Sequence, residues 1–418
     1  MKSDRTSAYD VNAIHSTTLE NGLKVLTQRI PGARSVGTGF WVRQGTAHEE
    51  PSLMGASHLL EHMVFKGTES RTQHEIALSL EVLGGHLDAY TSREHTSYQA
   101  RCLDSHLPTA VDVLAELTFR PLIQQSDLET ERDVVLEEIA TVQDTPDDLV
   151  FDMHTEMLWG DHPYGFRILG TDETVGDLTA KDLRAVHSAA YTASNSILVA
   201  VGNVDHDQLV DLARHHTADV PTGERRPAIT TAHASAPADR REARESAQTH
   251  IVTGRTTFAH GDPRRHALVL LSQALGGGMS SRLFQRVREK EGLAYAVYSF
   301  QAFHEGGGVE GVYLGTRPES ADRAAAVVAE EMQLLASRSL SAVELAQVKE
   351  QVKGQVVLSL DSAGSRLYRL AGHALRGEEV RTPEEVLARI DAVTEEQLAQ
   401  VASEFFDPAT CLSLRLGR

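Results

Sequence analysis

The chain has 418 residues, enough for two or three domains. Its formal net charge of −19 argues against a nucleic-acid binder, whose footprint is basic, and suits cationic partners such as Lys/Arg-rich peptides. Two cysteines, Cys102 and Cys411, can build neither a disulfide framework nor a cysteine zinc site, which fits a reducing compartment. Residues 1–5 lead into polar sequence without the apolar core of a signal peptide, and no apolar run is long enough to span a membrane. The expected location is therefore cytoplasmic.

Residues 15–43 read as strands. Asn21-Gly22, between Thr17-Thr18-Leu19 and Leu23-Lys24-Val25-Leu26, signals a two-residue hairpin, and residues 36–42 follow as a buried strand. The first helix runs through Met63-Val64-Phe65 and is closed by Gly67 in the manner of a C-cap. A second helix near residues 74–83 ends at Gly84-Gly85. Residues 87–102 look like strand, and residues 107–119 are helical by period. Ser126-Asp127-Leu128-Glu129 reads as a capping box that opens a long helix through Glu131, Val135, Glu138 and Ile139. Asp161-His162-Pro163-Tyr164-Gly165 is a turn, residues 178–191 are helix, and residues 197–201 are strand.

Residues 218–246 change character and read as a linker plus an edge segment. The chain then begins again. At a constant offset of 215, Thr179 falls on Thr394, Leu183 on Leu398, Val186 on Val401, Tyr191 on Phe406 and Gly202 on Gly417. Ser126 and Glu129 fall on Ser341 and Glu344, a second Ser-x-x-Glu box. One α+β unit used twice accounts for this better than two chance amphipathic helices do, and the period is that of a domain duplication rather than a solenoid. The expected domains are residues 1–217, the linker and edge segment 218–246, and residues 247–418.

The first helix carries His58-Leu59-Leu60-Glu61-His62. Four residues apart on a helix, His58 and His62 stack on one face and can share a zinc ion, with Glu61 placed to act on its water. The second half has Leu275-Gly276-Gly277-Gly278-Met279-Ser280-Ser281-Arg282 in this region, so any metal belongs to the first. Catalytic zinc usually takes three protein ligands. Glu138 is the best acidic candidate. Glu131, seven residues earlier, shares its face, while Glu137, turned about 100° away, is the alternative ligand. Taken singly, each Glu is more often a solvated helix face. Gly276-Gly277-Gly278 lacks the Gly-Lys-Ser/Thr of a phosphate loop, His215-His216 suits a helix end, and Cys102 suits a buried small side chain.

Residues 55–68 and 131–138, with His162-Pro163-Tyr164-Gly165 and residues 277–295, resemble the M16 zinc metallopeptidases, the family of pitrilysin, insulin-degrading enzyme and mitochondrial processing peptidase. The resemblance spans nearly the whole chain. It implies an α+β fold, in which two homologous α/β-sandwich domains from an internal duplication are arranged as a clamshell. It makes Glu138 the third ligand of one Zn2+ per chain, beside His58 and His62, and Glu131 its acidic support. It brings Arg288 and Tyr295 from the second domain to the carbonyl oxygen. The short, two-domain length resembles the bacterial and mitochondrial-processing branch, which implies a homodimer. In the family's Gly-Gly-x-x-Asn-Ala motif this chain has Gly84-Gly85-His86-Leu87-Asp88-Ala89. Asp88 only accepts hydrogen bonds where Asn both donates and accepts, so donation to a peptide carbonyl is lost there.

The expected activity is that of a zinc metalloendopeptidase. Unfolded peptides would add as a strand beside Asp88 and Ala89, between the domains, with Glu61 as general base. The competing expectation is an inactive peptide-binding or structural subunit, which the retained metal residues and Arg288/Tyr295 pair disfavour.

Overall fold

The computed structural model describes residues 14–231 and 236–418, so the polar N-terminal stretch and part of the 218–246 segment lie outside the described residues. The chain divides into two compact units. The first gathers Met1–Leu136, Ile168–Pro227 and Ser359–Val380, and the second gathers Glu137–Arg167, Ala228–Leu358 and Arg381–Arg418.

The first unit holds a mixed sheet of β1 (Ile14–Thr18), β2 (Lys24–Arg29), β3 (Ser35–Val42), β4 (His86–Thr91), β5 (Thr96–Leu103) and β6 (Ser196–Gly202). Their order is β1-β2-β6-β3-β5-β4, with β2 and β6 parallel and the other pairs antiparallel. The central strands β3 and β6 are buried on both faces, which is why both read as near-continuous runs of small and apolar residues. The connection from β1 to β2 is longer than a two-residue turn. It spans residues 19–23, because Leu23 turns into the core and Gly22, at φ +92°, donates back to the Leu19 carbonyl. Residues 87–102 form a hairpin rather than one strand, and the Ser92 amide and hydroxyl both bond the His95 carbonyl to make its turn.

The second unit holds β7 (Ala238–Ala243), β8 (Thr249–Thr257), β9 (Ala294–Phe303), β10 (Gly308–Thr316) and β11 (Leu412–Gly417), in the order β7-β11-β8-β10-β9. Again one pair, β7 with β11, is parallel. β7 is exposed and dense in Arg and Glu, as an edge strand that avoids pairing with other chains should be. Helices Ala180–Ala190 and Glu395–Phe405 coincide at the offset of 215, each with a threonine capping box, Thr179 with Asp182 and Thr394 with Gln397. The two Ser-x-x-Glu sites differ. Ser341 and Glu344 exchange capping bonds, but the helix Gln125–Asp144 begins a residue before Ser126, so Ser126 lies in its first turn.

Each sheet has its second face covered by a helix from the other half of the chain. Leu367, Leu370, Ala371, Ala374 and Leu375, at helical spacing on Ala363–Arg376, bury against Leu26, Trp41, Ile197, Val199 and Val201 of the first sheet. The equivalent helix Pro146–Trp159 buries Leu149 and Val150 against Val252, Tyr313, Leu414 and Leu416 of the second. Arg43 donates from Nε to the Leu375 carbonyl at 2.8 Å and from its terminal nitrogen to that of Ala374 at 2.9 Å, capping the C-terminus of Ala363–Arg376.

Glu310 on β10 is fully buried, and neither carboxyl oxygen has a hydrogen-bond partner among the described residues. Burial pushes its pKa up from 4.5 to about 8, against the opposing pull of Arg255, its cross-strand partner on β8. A folded pKa above the unfolded one gives stability that is complete below about 4.5 and lost as pH rises through about 8. Glu310→Gln keeps the shape and cannot ionise. It should stabilise the fold by on the order of 5 kcal/mol at pH 8.5, read as a higher melting temperature, and by much less at pH 4.5. Parallel melting profiles for the two proteins across this window would show that Glu310 does not set the pH dependence.

Candidate metal centre

The helix Ala56–Met63 sets the site. Leu59, Leu60 and Met63 are fully buried, which turns His58, Glu61 and His62 to the half-exposed face. The His58 and His62 rings lie 4.7 Å apart between centroids. Burial first, and the charge of His62 second, push the His58 pKa down to about 4. His58 is thus neutral at physiological pH, the form that binds a metal.

The helix starts at Gly55, whose φ of +92° and 2.7 Å Cβ clearance to the Leu169 carbonyl leave no room for a side chain. Gly55 has no side chain to accept from the first turn, and Glu49 supplies the acceptor instead. Its Oε2 accepts from the Gly55 amide at 2.9 Å and its Oε1 from the Ser57 amide at 2.6 Å. These are donors that a helix N-terminus otherwise leaves unsatisfied. Glu49 is 8% exposed, and burial lifts its pKa to about 7 against the pull of these donors.

The second element of the candidate site is Gln125–Asp144, and the division between the two units falls inside this continuous helix, after Leu136. Ligand atoms of His58, His62 and Glu138 all lie within 4.8 Å of one another, the one such cluster among the described residues. Glu137 is exposed and outside it. Two imidazoles and a carboxylate converging in this way fit a zinc ion. Glu131 is 5% exposed. Its Oε2 lies 3.2 Å from His62 Nδ1, and Lys66 Nζ contacts its Oε1. A carboxylate on the outer ring nitrogen fixes the ring and directs the other nitrogen inward. Thr91, at the end of β4, donates its hydroxyl proton to Glu61 Oε2 at 2.6 Å.

Asp88 and Ala89 lie on β4, the last strand of the first sheet. The Asp88 side chain is exposed and Oδ1 accepts from the Ala89 amide at 3.1 Å. In the second unit, the Arg288 guanidinium stacks on the Tyr295 ring at 4.5 Å and on the Phe284 ring at 4.7 Å, and Tyr295 is 77% exposed. Arg288 stands on a π-helical segment, Phe284–Lys290. His162 to Gly165 serves the second unit as a clasp. The Tyr164 hydroxyl accepts from the Gly306 amide at 2.9 Å, and His162 Nε2 lies 3.0 Å from the Thr230 carbonyl. Cys102 is buried, and burial pushes its pKa to about 11, so it holds its proton.

Glu49, Lys66 and Thr91 carry no sequence signal for these roles. Glu49 precedes its helix by more than any capping spacing, and Thr91 reaches Glu61 from 30 residues away. Glu49→Ala should cost about 1–3 kcal/mol of stability by stranding two amides. It should also weaken zinc binding by about tenfold or more, read by chelator competition, because the ligand-bearing turn loses its anchor. Unchanged melting and unchanged zinc affinity would remove Glu49 from this role.

A family profile described as Insulinase (Peptidase family M16) matches residues 24–172, and one described as Peptidase M16 inactive domain matches residues 177–352. The chain is 37% identical over 417 residues to an uncharacterized zinc protease of Streptomyces coelicolor, across 97% of this chain and 90% of that one. It is 39% identical over 390 residues to one of Mycobacterium tuberculosis, across 92% and 89%. A third, from Bacillus subtilis, is 34% identical over 401 residues, across 95% and 97%. The fold is shared with a solved protease from Helicobacter pylori, at a TM-score of 0.90 and 22% identity over 97% of this chain and 99% of that one. It is also shared with a structure of a peptidase M16 inactive domain from Pseudomonas fluorescens, at 0.91 and 21% over 97% and 98%. With both halves matched in order and curated relatives aligned over most of their length, the chain belongs to the M16 peptidase family, as a zinc protease of its two-domain bacterial branch.

Proposed function

We propose that this zinc protease is an endopeptidase that cleaves unfolded peptides added as a strand at the free edge of β4, with one Zn2+ per chain held by His58, His62 and Glu138. The convergence of those three ligand groups within 4.8 Å, beside a Glu61 already held by a hydrogen bond, carries the reading. Zinc so held supplies Lewis acidity, polarising a scissile carbonyl and making water more acidic. Glu61 takes the proton from the attacking water and returns it to the leaving amine. Glu131 keeps the His62 ring in place. Arg288 and Tyr295, stacked on each other, are assigned to the carbonyl oxygen as charge develops there.

Strand addition at β4 relies on main-chain hydrogen bonds, which tolerate varied sequences but require an extended chain. The Ala89 amide is a donor for this purpose, and the Asp88 carboxylate already accepts from it. A peptide carbonyl therefore competes with Asp88. No helix among the described residues is long and apolar enough to cross a membrane. The few cysteines suit a cytoplasmic setting, and resemblance to short M16 chains supports a homodimer.

Three variants test the assignment. Glu61→Gln should keep stoichiometric zinc and lower cleavage of an unfolded peptide by at least about 100-fold. Chelator-sensitive cleavage at the wild-type rate in that variant would exclude Glu61 as the base. Tyr295→Phe should lower kcat about tenfold with zinc unchanged, and an unchanged rate would remove Tyr295 from the reaction. Asp88→Asn should lower KM severalfold, because a neutral amide competes less well for the Ala89 N–H than a carboxylate. A higher KM would mean that Asp88 itself contacts substrate.

A further inference from the structure

We propose that Thr91 is a positioning residue for Glu61, and that through it the strand that docks the peptide also aims the base. The inference rests on the reading of Glu61 as general base and of β4 as the docking edge.

The hydroxyl inventory at the end of β4 fixes the direction of the bond. Thr91 Oγ1 has three neighbours in reach: Glu61 Oε2 at 2.6 Å, the Ser57 carbonyl at 3.4 Å and Thr96 Oγ1 at 3.4 Å. A threonine has one proton to give. Thr96 spends its own on the Gln44 carbonyl at 2.8 Å and asks nothing of Thr91 as an acceptor. The short contact to a carboxylate outcompetes the two long ones, since bonds to an ionised acceptor are shorter and stronger. Thr91 therefore donates to Glu61, and Oε2 is held.

The surroundings keep Thr91 from moving away. It is 9% exposed and is the last residue of β4, paired across the hairpin with Thr96. Alternation along the strand puts Ala89 and Thr91 on the same face, with Asp88 and Tyr90 on the other. Tyr90 is pinned on that other face by its hydroxyl, 2.8 Å from His95 Nε2, and by packing against Tyr368. β4 cannot rotate about its axis without breaking these contacts. A peptide added at its edge is thus registered against the same rigid strand whose final side chain sets the Glu61 carboxylate. The alignment of base and scissile bond then follows from one element rather than from two independent ones. Misplacing a base by about 1 Å can cost a factor of about 100 in rate.

The test is Thr91→Val, which keeps the branched shape and burial and removes the donor, with Thr91→Ser as the variant that restores it. Zinc content, melting temperature and peptide Kd of the zinc-free protein are measured beside steady-state kinetics. In Thr91→Val, kcat should fall about 10- to 100-fold with KM within about twofold, zinc still stoichiometric and peptide Kd unchanged. Thr91→Ser should recover kcat to within about threefold of wild type. A double variant Thr91→Val/Glu61→Gln should be no slower than Glu61→Gln alone, because the hydroxyl acts only through that carboxylate. The proposal is overturned if Thr91→Val turns over at the wild-type rate, if Thr91→Ser is as slow as Thr91→Val, or if the loss comes with lost zinc or lost folding that Thr91→Ser shares. A wild-type chain that binds zinc and cleaves no peptide fails the endopeptidase reading itself, and the inference falls with it. A wild-type chain that cleaves, beside an unimpaired Thr91→Val, fails the inference alone.

Discussion

Two helices far apart in sequence must meet before two imidazoles and a carboxylate can share a metal, and the bond on which they meet is that between His62 Nδ1 and Glu131 Oε2. Neither helix brings it about alone. Ala56–Met63 is only eight residues long, too short to be stable by itself, and one end is anchored by Glu49. The long helix Gln125–Asp144 supplies Glu131 two turns before Glu138, so the residue that orients one ligand and the residue that would be another stand on one face. Lys66, just beyond the short helix, returns a cation to Glu131. A carboxylate left almost without water is then balanced by an ammonium on one oxygen and an imidazole on the other. Truncating either partner would leave a buried charge uncompensated, which costs more than the pair contributes.

The duplication places this site within a larger constraint. Each half of the chain lends one helix to the other half's sheet, and the two helices are equivalent in the repeat. The stripe from Leu367 to Leu375 is buried only against strands that belong to the first half. Each large side chain there is worth roughly 1.5–3 kcal/mol in burial. A chain cut at the repeat boundary would expose one such stripe and uncover one sheet face in each piece. The halves are copies in sequence, but neither carries the parts for its own core.

The legible part of this molecule was what repeats at short range. The histidine spacing, the shared face of Glu131 and Glu138, and the duplicated helices after Thr179 and Thr394 follow from a period of 3.6 and from one constant offset. Other features had a legible pattern and a different outcome. Residues 87–102 hold no Gly, Pro or Asn to mark a turn, so the hairpin turn at Ser92 to His95 is hidden inside a strand-like stretch. Ser126 has the spacing of a cap, but its helix starts a residue earlier. The exchanged helices were not legible at all, because an amphipathic stripe says that a helix packs on a sheet and nothing about which sheet. Glu49 and Thr91 belong to that last kind, since their partners are set by the fold.

Comparing the two halves at the repeat offset explains why only one of them has the donors for a metal. At the offset of 215, Glu131 corresponds to Ala346 and Glu138 to Lys353. The last change reverses the charge logic. Lys353 contacts Glu350 and Asp391, so an ammonium now stands where the first half presents a ligand carboxylate, and its neighbours are the anions. At the place of Glu138 the second copy therefore pairs a cation with its own acidic neighbours, where the first copy presents a carboxylate beside His58 and His62. Changing Lys353 alone to glutamate would not recreate a site there, because Ala346 stands in place of Glu131 and supplies no orienting carboxylate.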